Sequence, residues 1–175
     1  MDTETLQRPS AAPSWAGRAL DALDRAVTGA LILAVATMVI VVSGQVALRY
    51  GFNQSFDWAD EVGRLAFVWS VFLAIPLGVR QGSHIGIDIV VDKFPAATRA
   101  AFKRGGAALS AALMFIVAWA SVGVAQEQWS EMMSTIDASV GWFIVPVGVG
   151  ALLSGLHLAR VVIIGAPAPV LGNAE

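Results

Sequence analysis

The sequence predicts an all-α integral membrane protein with four transmembrane helices. It also predicts an amphipathic interfacial helix between the second and third spans, and both termini on the cytoplasmic side. Three observations carry this reading. Of 175 residues, 57% are hydrophobic and 14% charged, with a mean hydropathy of +0.70, against about 45–50% apolar and about 25% charged in soluble domains. The apolar residues come in blocks separated by charged stretches, so one buried core cannot absorb the excess. Of the eleven Lys and Arg residues, nine fall on one side of a four-span arrangement, the asymmetry expected of cytoplasmic loops. This composition excludes a disordered chain, a nucleic-acid binder and most soluble enzymes. The absence of cysteine excludes disulfides, thiolate metal sites and cysteine nucleophiles.

The elements follow in order. Residues 1–13 form an N-terminal tail, 14–165 a single membrane domain and 166–175 a C-terminal tail. The first span covers about 26–48, a stretch without charge bracketed by Arg25 and Arg49. Its 23 residues reach about 34 Å as helix against about 30 Å of hydrocarbon. A weaker amphipathic pattern around Trp15, Ala19 and Leu23 precedes it. The second span is placed at about 58–80. Its uncharged part, 65–79, reaches only about 22 Å, so the helix is expected to start near Asp57, where Asp57, Asp60 and Glu61 suit the positive end of its dipole. Arg64 and Arg80 then snorkel to opposite interfaces. The third span covers about 105–126 and the fourth about 138–160, with Pro146 expected to kink the fourth. Arg160 allows that helix to run on to Ile164, before Gly165 and Pro167 stop it.

Between the second and third spans, His84, Asp88, Asp92, Arg99 and Lys103 form a polar stripe at helical spacing, with Ile87, Val90, Val91 and Phe94 elsewhere around the wheel. Residues 82–94 therefore predict a helix lying in the interface. Trp15, Trp58, Trp129 and Trp142 fall at predicted interfaces, where amphipathic rings anchor a helix. Trp69 and Trp119 fall deeper, where packing against neighbouring helices is expected. Small residues recur four apart at Gly106 and Ser110, Ala107 and Ala111, Gly150 and Ser154, and Ala151 and Gly155, a spacing that lets helices approach closely.

The chemistry of the spans is sparse. The three most apolar ones carry no Asp, Glu, Lys or Arg between their ends. Their polar residues, among them Thr28, Ser121, Ser154 and His157, are expected to bond to their own helix or a neighbour. A transporter working alone needs a midplane site built from broken helices and ionisable groups. None is legible here, nor is any nucleophile or metal motif, and no cofactor is expected. His84 and His157, the two histidines, show no ligand spacing. His84 and Asp88, four apart on one helix, suit a local hydrogen bond. The chain reads as the partner of something larger.

Residues 56–95 read FDWADEVGRLAFVWSVFLAIPLGVRQGSHIGIDIVVDKFP. The aromatic-rich start, Glu61 and Arg64, Phe67-Val68-Trp69, Phe72-Leu73, Arg80, and His84-Ile85 with Asp88 before a proline resemble the small membrane subunit of tripartite ATP-independent periplasmic (TRAP) transporters, the Q-type or DctQ-like family. The likeness extends over roughly 20–165. One departure is Ala74-Ile75-Pro76, where members often carry glycine and small residues.

The resemblance implies a bacterial inner-membrane subunit that braces a large M-type membrane subunit, while a periplasmic binding protein delivers an organic acid. Sodium coupling is expected in the partner subunit. It further implies that Arg80, His84 and Asp88 fix the turn from the second span into the interface. Glu61 and Arg64 are expected, on the same resemblance, to pair with each other, with the large subunit or with the docking binding protein. The competing readings are the small four-helix subunit of a tripartite tricarboxylate transporter, a standalone membrane scaffold or lipid-binding protein, and a small self-associating channel. The His-Ile stretch with Asp88 favours the first family, and no clear span shows the continuous polar face of a channel.

Overall fold

The computed structural model describes residues 15–80 and 96–164. The expected interfacial helix at 82–94, with His84 and Asp88, and both tails beyond the helices lie outside the described residues. Four long helices dominate: α1 (Trp15–Phe52), α2 (Asp57–Arg80), α3 (Ala96–Glu127) and α4 (Val145–Ile164). Each is long and apolar enough to cross a membrane. The described residues contain no β-strand, only an isolated antiparallel bridge between Met132 and Ser139.

Sequence explains most helix ends. α1 absorbs the amphipathic stretch before the first span into one continuous helix of 38 residues. It ends where Asn53 takes a left-handed φ of 52° and the Gln54 amide turns back to the Leu48 carbonyl at 3.2 Å. Asparagine tolerates that conformation better than most residues. α2 opens with Asp57 and Asp60 in its first turn and closes on Arg80, both matched to the helix dipole. α4 runs to Ile164, directly before Gly165.

Pro146 corrects one expectation. No helix runs from 138 through it. Residues 140–143 form a short 3-10 turn, and Pro146 sits in the first turn of α4. There its missing N–H is no loss, because first-turn amides have no partner inside the helix. Pro76 is the proline inside a span, fully buried in α2.

The helices neighbour one another in the order α1, α2, α4, α3. The inner pair is accordingly the more buried: 44% of the apolar window of α4 is buried but only 6% of that of α1. Val27 of α1, Leu73 of α2 and Leu153 of α4 form a small apolar core, flanked by Leu31, Trp69 and Leu77. α4 meets α2 where Gly150 lies against the Phe72 carbonyl, so closely that an added Cβ would stand 2.3 Å from that oxygen. Pro76 has no N–H to give the carbonyl four residues back, and Phe72 is that residue. The proline and the glycine thus belong to one contact. Gly155 takes the Phe115 ring of α3 in a similar way. Of the four small-residue pairs, those of α4 are buried in helix contacts, whereas Gly106 has open space around it.

The chain direction defines two ends. The first residues of α1 and the last of α2 and α4 share one, here the basic end, which carries Arg18, Arg25, Arg80 and Arg160. The 53–56 and 128–144 connections share the other, the loop end.

Candidate functional site

The described residues hold two polar constellations, one at each end, and both join residues far apart in sequence. At the basic end, Asp24 of α1 is 3% exposed, and His157 of α4 is also buried. His157 Nε2 donates to Asp24 Oδ1 at 2.9 Å. Arg80, the last residue of α2, places Nη1 2.8 Å from Asp24 Oδ2 and Nη2 2.9 Å from Asp21 Oδ1. The Oδ2 contact is an ion pair without the angle of a directed hydrogen bond. Asp24 also lends its backbone carbonyl to the Thr28 hydroxyl at 2.8 Å. Three helices are therefore tied at one point by a carboxylate shared between an arginine and a histidine. Asp24 and His157 are buried while Arg80 and Asp21 are half-exposed, so removing Arg80 would leave the buried Asp24 carboxylate without its cation.

At the loop end, Glu61 on the second turn of α2 clasps the connection between α3 and α4. Its carboxylate accepts the Ser134 amide at 2.7 Å, the Thr135 amide at 2.9 Å and the Thr135 hydroxyl. The same connection closes on itself. The Met133 amide donates to the Ala138 carbonyl and the Val140 amide to the Glu131 carbonyl, both at 2.9 Å. Ser139 Oγ accepts the Gly141 amide and donates to the Gln128 carbonyl. Beneath the loop, Trp142 lies between Trp129 and Trp69, with ring centroids 5.9 and 6.4 Å away. Trp69 Nε1 donates to the Trp142 carbonyl at 3.1 Å.

The sequence-derived residues distribute as follows. Glu61 meets the loop, and its described partners do not include the exposed Arg64. Arg80 turns toward α1. Trp58 stacks on Phe56 at 5.7 Å. Trp129 and Trp142, read as anchors, remain half exposed while packing together, and Trp69 packs as expected. The side chain of Trp15, the first residue of α1, lies outside the described set. Trp119 corrects the reading: it is 84% exposed among the described residues and is not buried against a neighbouring helix there. It borders an apolar groove of about 940 Å³ between α3 and α4, lined also by Phe115, Val122, Trp129, Val149 and Leu152 and by no ionisable side chain.

Sequence reasoning missed the Asp24 cluster. Its signal was present: Asp21, Asp24 and Thr28 lie at helical spacing on one face of an extended first helix, and four spans bring Arg80 and His157 to the same end. Thr28, Ser70 and Ser121 do bond to carbonyls of their own helices. Ser154 is fully buried, and its hydroxyl has no hydrogen-bond partner among the described residues. Among the described residues no group of three or more His, Asp or Glu side chains could hold a metal.

Comparison with known proteins bears directly on this architecture. Residues 38–166 match the family described as tripartite ATP-independent periplasmic transporters, DctQ component. A Haemophilus influenzae protein named as a TRAP transporter small permease protein is 33% identical over 73 residues, 42% of this chain and 45% of its own. The C4-dicarboxylate TRAP transporter small permease protein DctQ of Vibrio cholerae is 29% identical over 86 residues, 49% of this chain and 37% of its own. The sialic acid TRAP transporter small permease protein SiaQ of the same species is 26% identical over 65 residues, 37% of this chain and 38% of its own. The chain thus spans less than half the length of these relatives.

Proposed function

Because the chain belongs to the DctQ component family of tripartite ATP-independent periplasmic transporters, we propose that it is the accessory membrane subunit that braces a large permease subunit during ion-coupled import of an organic acid. The family consists of transporter components and not enzymes. The observation that carries the bracing role is the placement of charge. The described ionisable side chains gather at the two ends of the helices, and the middle of the spans is apolar. A conduit needs ionisable groups or exposed carbonyls at mid-depth, whereas a brace needs fixed helix contacts.

Those contacts are the Gly150–Phe72 approach, the Asp24 cluster and the Glu61 clasp. In this reading the large subunit carries substrate and coupling ion, most simply sodium, and a periplasmic binding protein delivers the acid. The basic end faces the cytoplasm, the loop end the periplasm, and both termini are cytoplasmic. One relative's name, isethionate TRAP transporter permease protein DctMQ, is consistent with two permease parts working together. The names of relatives differ in substrate, as expected where specificity resides in other components.

Affinity purification of the tagged chain from cells expressing its neighbouring genes tests the proposal. A large multi-span membrane protein is expected to co-elute in fixed ratio. Elution of this chain alone under conditions that keep it folded contradicts the bracing role.

A further inference from the structure

We propose that the groove between α3 and α4 holds an acyl chain of a phospholipid with an amine headgroup, taken from the leaflet at the loop end. Its depth, its walls and the charge at its mouth select this occupant.

The groove opens beside Gln126 and Trp129, where a half-exposed indole suits the membrane interface. It ends at Phe115, whose ring rests on Gly155, 3.1 Å from where a Cβ would stand. From Gln126 to Phe115 the helix rises about 16 Å, half of a hydrocarbon core of about 30 Å. The slot is therefore one leaflet deep and closed at mid-membrane. A transmembrane helix of a partner crosses both leaflets, so a slot that stops halfway does not fit it. An acyl chain ends at that depth.

The walls agree. The back is sealed where Gly148 meets Ser121, with an added Cβ 2.5 Å from the hydroxyl oxygen. That hydroxyl donates to the Ala118 carbonyl of its own helix at 2.8 Å, so it asks nothing of a ligand. Val122, Val149 and Leu152 leave an apolar lining, with the exposed Trp119 along it. Such a surface offers dispersion contacts and no polar partner.

Charge at the mouth selects the headgroup. Glu127 follows Gln126 directly, and Glu131 and Asp137 lie in the connection above, all three exposed. Residues 128–144 contain no Lys or Arg, and the basic residues of α3 and α4 lie at the opposite end. An anionic head such as phosphatidylglycerol brings like charge to these carboxylates. The ammonium of phosphatidylethanolamine brings the opposite charge within the short range over which exposed charges act.

The full chain is tested in lipid nanodiscs, alone and co-purified with its membrane partner. The discs contain phosphatidylethanolamine or phosphatidylglycerol with a photoactivatable group near the end of one acyl chain, and adducts are mapped by peptide mass spectrometry. With phosphatidylethanolamine, adducts are expected to concentrate on Phe115, Val122, Val149 and Leu152 over the exposed Ile32 and Ile40 of α1. Labelling with phosphatidylglycerol is expected to be several-fold weaker. Glu127→Gln combined with Glu131→Gln should abolish that difference. Adducts spread evenly over α1, α3 and α4 overturn the proposal, and that comparison needs no variant to fold. Equal labelling by the two lipids, or a preference that survives the double substitution, overturns the headgroup assignment. Groove labelling that disappears in the co-purified complex overturns the lipid as occupant in favour of a protein surface.

Discussion

Gly150 shows how much a single position decides. Any side chain there would drive a carbon into the Phe72 carbonyl at 2.3 Å, and backbone cannot swing aside as a flexible side chain does. Gly150→Ala is expected to destabilise the chain by about 1–3 kcal/mol, the usual cost of overpacking. Gly106→Ala, in open space on α3, is expected to be neutral or to stabilise by up to about 1 kcal/mol through helix propensity. Unfolding of both variants in detergent against the unaltered chain checks the contrast. The sequence shows both glycines at the same four-residue spacing with a small partner. Which one packs is not legible there, because it depends on the helix that arrives opposite. The same limit hid Asp24. A carboxylate ahead of an apolar run reads as a flanking charge until Arg80 and His157 are brought beside it from residues 56 and 133 positions away.

At the scale of elements, the apolar blocks announced the four spans well, because burying backbone in lipid leaves the chain little choice but helix. Ends were less legible. α1 extends to about 57 Å, far more than the first apolar run, because its amphipathic start continues the helix and packs through Asp21, Asp24 and Val27. The stretch before Pro146 looked helical by hydropathy. It instead forms a loop closed by Ser139, the Met132–Ser139 bridge and Glu61. Nothing local to Glu61 signals that its partners lie more than seventy residues on. Glu61→Ala is expected to speed amide hydrogen exchange at Ser134 and Thr135 while leaving exchange in α4 unchanged. Unaltered exchange at those two amides would show that the loop holds itself.

Across the whole molecule, α1 and α3 flank the more buried α2 and α4, and large apolar side chains such as Ile32, Ile40, Ile116 and Trp119 remain exposed on the flanking helices. In the proposed arrangement those faces meet lipid or the large subunit. Among the described residues nothing covers the exposed Trp119 indole. The orientation proposed above rests on the placement of the basic residues. Single cysteines at Arg104 and Arg160 are expected to resist a membrane-impermeant thiol reagent added to intact spheroplasts, and cysteines at Ser130 and Asp137 to react. Reaction at both ends from the same side contradicts the arrangement.

The central claim is that this chain supports transport without performing it. The most direct measurement is uptake of candidate organic acids into proteoliposomes under a sodium gradient. The chain is tested alone, then with the large membrane subunit and the binding protein. The account predicts no uptake by the chain alone and uptake by the complete set that falls when this chain is omitted. Gradient-driven uptake by the chain alone would contradict it.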